Sequence, residues 1–166
     1  MPYRRDDAGM FELSTTGVPV IDAHADFARA RRAHVAGRAL GWLAAGRRRP
    51  RVPRTLGDAA AMPHGARHAE VIPLKAIVGS VEPSVTFDAR FRPASEVVRA
   101  RWERIALAHR KGISLPPITV RRCADGYYIV DGHHRVSVAL ALGHRDIDAW
   151  VTDTRSLAPP ALPTAA

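Results

Sequence analysis

Hydrophobic and polar positions divide the chain into a weakly patterned beginning, one long helical stretch, a connecting segment and a closely punctuated second half. Residues 1–20 are polar and without period, and read as a tail. From Asp22 to about Arg48 there is no proline. Phe27, Val35, Ala39, Trp42 and Leu43 recur there at near-helical spacing, and Arg29, Arg31, Arg32 and Arg38 fill the positions between. The pattern predicts a basic amphipathic helical segment over 21–54. It closes on GRRRPRVPR (46–54), where Pro50 and Pro53 forbid continuation and the arginines suit the negative end of the helix dipole. Residues 55–70 read as a linker.

The second half alternates faster. Val71–Val78 (VIPLKAIV) reads as a strand with a proline near its start, and 79–93 as a loop carrying Glu82, Asp88, Arg90 and Arg92. A helix follows from Ala94 to Lys111, with Val98, Trp102, Ile105 and His109 on one face and Gly112 in the position of a terminating glycine. PPITVRR and ADGYYIVD predict a hairpin turned at Asp-Gly. A helix from His133 to Leu142, stopped by Gly143, and a strand over 147–153 complete the order β-α-β-β-α-β. This predicts a small α+β domain over 71–153, with a mixed sheet and packed helices. The Pro/Ala-rich end, 154–166, reads as a disordered tail.

Composition adds a partner class. The 166 residues carry a formal charge of +9, and nearly all the cations are arginine. Such a balance suits phosphate-bearing partners, whether nucleotides, nucleic acid or an anionic membrane surface, but is equally met by an ordinary solvated surface. The single cysteine, Cys123, excludes an internal disulfide and a multi-cysteine metal site. No apolar run resembles a signal peptide or a membrane span, which points to a cytoplasmic protein.

The candidate chemistry is concentrated in VDGHHRVSVALALG, residues 130–143. A glycine between strand and helix allows a sharp turn and close approach of another group. The first helical turn then offers unpaired N–H groups and a positive dipole end, which together favour an anion. His133, His134 and Arg135 lie in that turn. Arg135 suits a bidentate grip on phosphate, the imidazoles can donate to its oxygens, and Asp131 can orient a hydroxyl or share a divalent ion with phosphates. Zinc is a poor fit, because adjacent helical side chains diverge by about 100° and no third ligand is evident. Neither Ser137 nor Cys123 is placed as an elbow nucleophile. The remaining reading is that the histidines only cap and solvate a helix start.

The run from VIPLKAIV through ITVRR, ADGYYIVDGHHRVSVALALG and IDAWV resembles the N-terminal domain of ParB-type partition proteins and the sulfiredoxin fold they share. G-H-H-R stands where ParB proteins carry G-E-R-R and sulfiredoxins carry G-C-H-R, and in both families that turn binds nucleotide phosphates. The resemblance therefore implies a cradle for CTP or ATP phosphates at Gly132, His133, His134 and Arg135. Asp131 at the strand end joins this candidate site, with Mg²⁺ expected to be shared with Asp131 or Glu82. His133 replaces the sulfiredoxin cysteine, so sulfinic acid reduction by that route is not expected. The later E-N-x-Q-R motif of ParB proteins does not occur, so site-specific centromere recognition is not expected either. A free serine kinase of the same fold places a glutamate base near the first strand, which implies a catalytic role for Glu82. Stand-alone domains of this kind are often labelled nucleases, but the clustered carboxylates of a metal-dependent nuclease are missing. Two functions follow as expectations. One is a nucleotide-binding protein that acts as an NTPase or small-molecule kinase. The other is a non-enzymatic DNA- or protein-binding regulator that uses the basic N-terminal segment as its contact arm. The sequence does not indicate an oligomeric state.

Overall fold

The computed structural model describes residues 16–45, 53–56 and 64–154. In chain order the elements are α1 (Pro19–Ala45), β1 (Arg54–Thr55), β2 (His64–Pro73), β3 (Ile77–Ser80), α2 (Arg99–Arg110), β4 (Ile118–Cys123), β5 (Gly126–Asp131), α3 (His133–Ala141) and β6 (Asp146–Thr154). The strands form one mixed sheet in the order β1-β3-β5-β4-β6-β2. β4 and β5 are the expected hairpin, paired antiparallel from Thr119–Asp131 to Cys123–Gly126. The architecture is α+β, as the sequence pattern predicts.

The strand expected over 71–78 is a bent pair instead. Pro73 has no N–H to give a ladder, and the chain turns there through a short 3-10 segment, Leu74–Ala76, before β3 begins. β2 pairs antiparallel with β6 at one side of the sheet, while β3 pairs parallel with β5 towards the other. Four residue steps from Pro73 to Ile77 reach at most about 14 Å. In a flat sheet β3 and β2 would lie roughly 19 Å apart, at about 4.8 Å per strand. The sheet therefore rolls, and the bent strand joins its two sides. Residues 54–55 and 64–70, read from sequence within the basic segment and the linker, belong to this sheet. HGARHAE lacks an apolar alternation because its strand lies at the sheet's edge, where little of it is buried.

Two apolar clusters fill the fold, and α3 stands between them. Val136 and Ala139 pack with Ile72, Ile118, Val120, Ile129 and Val151 from the sheet. Val138 faces Phe27, Phe87, Trp102 and Ala106 from the helical side. Trp102 buries its whole ring and its indole N–H donates to Ser137 Oγ at 2.9 Å. That bond satisfies a polar pair that burial would otherwise leave costly.

The buried face of α1 differs from the one expected. Phe27 is buried, but Val35 and Ala39 are exposed, and the side chains of Trp42 and Leu43 lie outside the described residues, as do residues 46–52. The inward face is Asp22, Ala23, Asp26, Phe27, Ala30 and His34. Arg110 of α2 donates to both Asp26 oxygens, at 2.7 Å from Nε and 2.9 Å from Nη2, and to Asp22 Oδ2 at 3.4 Å. A hydrophobic period misses this face because paired carboxylates occupy positions that the pattern assigns to solvent. α1 is thus docked on α2 through its first half, residues 22–34, while Arg32 and Arg38 remain exposed. Asp26→Ala strands the Arg110 guanidinium and is expected to cost about 3 kcal/mol in urea denaturation. The double variant Asp26→Leu/Arg110→Met should recover most of that loss; a single variant as stable as the parent would show that the pair does not hold α1.

Candidate functional site

β5 ends at Asp131, and Gly132 turns the chain into α3 with φ 115° and ψ 15°. A Cβ at this position would stand 2.5 Å from Ile118 Cγ2, so both the backbone conformation and the packing on β4 require glycine. The first amide to bond within the helix is Val136, which donates to the Gly132 carbonyl at 3.0 Å. The amides of His133, His134 and Arg135 precede it and have no partner in the helix. These three residues line a cleft of about 200 Å³, whose other wall is Ser84, Thr86 and Phe87 from the loop after β3, with Arg101 and Ile105 of α2.

Asp88 builds that opposite wall. Its Oδ1 accepts the backbone N–H groups of Arg90 and Arg92, each at 2.9 Å, and closes a turn that holds Phe91 at φ 55° with its ring buried. Its Oδ2 accepts from Arg92 Nε at 2.8 Å and lies 3.0 Å from His34 Nδ1 on α1. Burial opposes the charge of Asp88, but the bonds from His34 and from the Arg92 and Arg90 amides outweigh it and hold the carboxyl below its ordinary range. The loop so fixed brings Phe87 against both histidines. His133 stacks on the ring at 6.3 Å between centroids, and His134 meets it edge-on at 5.1 Å.

The five residues singled out at the strand–helix corner come together, but they do different work. His133 Nε2 lies 2.7 Å from Ser80 Oγ, at the end of β3. Burial lowers the His133 pKa, and the charges of Asp131 and Glu82 offset only part of the shift. His134 is pushed down to about 4, first by burial and then by Arg101 and His133. Both imidazoles are therefore neutral at pH 7 and bring no charge to an anion. Arg135 is largely committed within the fold: it donates to the carbonyls of Pro116 and Pro117, the latter at 2.8 Å, and to Asp131 Oδ2 at 2.7 Å. It braces the entry to β4 against the start of α3. Asp131 is exposed and lines the cleft. Glu82 is exposed and does not line it, but is close enough for its charge to act on His133.

Sequence reading missed Arg101, the exposed cation of the opposite wall, together with Ser80, Ser84, Thr86 and Phe87. Arg101 precedes Trp102 on α2, and its only sequence signal is its place on the polar side of an amphipathic helix. Among the described residues no three His, Cys, Asp or Glu side chains are grouped to hold a metal ion. Asp131 and Glu82 fit a magnesium ion only as one or two carboxylates beside phosphate oxygens, which is the usual way such an ion is held. No helix among the described residues is long and apolar enough to cross a membrane.

A glycine corner between strand and helix, set in a rolled mixed sheet and faced by a wall from the loop after β3 and from α2, defines an α+β domain with a cleft at the start of α3. The chain belongs to the ParB N-terminal domain family, whose model matches residues 67–161. It is similar to a solved Pnob8-like ParB-N domain at 19% identity with a TM-score of 0.36; the match covers 55% of this chain and 32% of that one. No curated protein matches.

The depressed histidines set a pH dependence. A histidine whose folded pKa lies below its unfolded value leaves the unfolded chain binding more protons between the two. Stability is therefore complete above about pH 6.5 and falls as pH drops towards 4, the folded value of His134. Urea denaturation at pH 7 and pH 4.5 should show that loss. His134→Gln should reduce it by on the order of 1 kcal/mol, after allowing for the half-exposed ring. An unchanged pH slope in the variant would place the titration elsewhere.

Proposed function

We propose that this protein binds the phosphates of a nucleoside triphosphate, CTP or ATP, at the start of α3, with Mg²⁺ carried by the nucleotide. The observation that carries the reading is that the first turn of α3 lines a cleft whose far wall holds Arg101, Ser84 and Thr86. Fixed amides and a helix dipole favour an anion on one side, and a guanidinium completes its neutralisation on the other. A cleft of about 200 Å³ falls below the ~300–1,000 Å³ that encloses a drug-sized ligand. It suits the phosphate chain, with sugar and base towards the open side.

The residue roles shift accordingly. Arg101 takes the charge-pairing role that the sequence reading gave to Arg135. Arg135 keeps the cradle in shape by tying the 116–117 carbonyls and Asp131 to the helix start. Asp131 and Glu82 are the carboxylates that would hold a Mg²⁺ ion, which would supply charge neutralisation beside the phosphates. If the bound nucleotide is turned over, as an NTPase or small-molecule kinase, Glu82, exposed near His133, is the candidate carboxylate to take a proton from an attacking hydroxyl or water.

Calorimetry with CTP, ATP, GTP and ADP in the presence of Mg²⁺ tests the reading. One triphosphate is expected to bind, and Arg101→Ala to weaken it at least tenfold without lowering the melting temperature. No heat with any of the four would remove the proposal. Where turnover is found, Glu82→Gln should abolish it and leave the dissociation constant within about twofold; equal turnover would sink the assignment of the base.

A further inference from the structure

α1 has a second face that neither the core nor the cleft uses. Ile21, Ala25, Ala28, Arg32, Val35 and Ala39 follow one another at alternating steps of four and three, and in the sequence the same spacing reaches Trp42. Alternating steps of that kind form the seam of a two-helix coiled coil. At about 100° per residue the seam lies opposite the buried positions Asp26 and Ala30. Its large members face solvent: Ile21 is 52% and Val35 56% exposed. Surface helices ordinarily carry charge here, and a contiguous exposed apolar strip marks an interaction site.

Charge and side-chain size identify the occupant. The described stretch of α1 holds two carboxylates, Asp22 and Asp26, and both point inward, where Arg110 binds them. The outer face is left with Arg32 in the seam and Arg38 beside it. A second copy of α1 would set arginine against arginine. A bilayer gains little from a seam in which three positions are alanine, and nucleic acid has no use for exposed isoleucine and valine. Alanines at a seam let another helix approach closely, to an interaxial distance of about 8 Å. We infer that the outer face of α1 is a docking surface for an acidic amphipathic helix of another protein. The partner's apolar stripe fills the Ile21–Ala28–Val35 seam, and its carboxylates meet Arg32 and Arg38.

The test places a photo-crosslinking benzoylphenylalanine at Ala28 or Ala39 of the full chain, in cells of its source, and maps the segment captured on irradiation. That segment is then synthesised, and its binding to the purified chain is measured by fluorescence anisotropy. The expected result is an acidic helical segment of a second protein, bound at least tenfold more weakly by Val35→Asp or Ile21→Asp and more weakly at high salt. Both substituted positions are exposed, so an unchanged circular dichroism spectrum and melting temperature separate lost docking from lost folding. Capture of another copy of this chain, of lipid or of nucleic acid would overturn the inference. So would no capture at either position, or peptide binding indifferent to both aspartates.

Discussion

The contact between Gly132 and Ile118 is the constraint on which the rest of this structure depends. The chain must leave β5, reverse and start α3 while its backbone presses on the neighbouring strand, and only a residue without a side chain fits that space. Once the corner is made, Val136 and Ala139 are aimed at the sheet and Val138 at the helices, so one turn seats α3 between both apolar clusters. The same turn leaves three amides pointing outward beside Phe87 and Arg101. The seating of α3 and the shape of the cleft are thus two results of one backbone geometry, and neither can be altered there without the other.

Much of this was legible in the sequence, for physical reasons that can be named. The hairpin, α2, α3 and β6 announce themselves because their apolar positions recur at the period of the element and glycines close three of them. The Gly132 corner is legible because strand, glycine and helix follow without an intervening loop. The bend at Pro73 was visible as a residue but not as a corner, since a proline near a strand's start is compatible with a straight edge. The early part of β2 could not be read, because an edge strand with polar side chains carries no alternation. The buried face of α1 was hidden by its chemistry: Asp22, Asp26 and His34 are buried through partners 54 to 88 residues away in sequence.

The site residues show where chemical reasoning from sequence stops. Arg135, His133 and His134 were placed correctly at the helix start, yet a residue type does not disclose what a side chain is already holding. The carbonyls of Pro116 and Pro117 claim Arg135, Ser80 claims one nitrogen of His133, and Phe87 covers both imidazoles. Arg101 comes from a different element, and nothing local to it marks a binding role. Long-range partners decide which cations remain available, and periodicity does not report them.

Asp88 gives α1 a claim on the cleft. One carboxylate ties a histidine of α1, the guanidinium of Arg92 and two loop amides, while Arg92 also donates to the Ala33 carbonyl at 2.6 Å. Phe87, which covers the histidines, immediately precedes Asp88 in the chain. The helix outside the sheet and the wall of the cleft are therefore tied together through one buried carboxylate. For anyone drawing a minimal boundary around this domain, α1 is the far buttress of the site, and trimming the chain to its sheet would leave a cradle with one side unsupported.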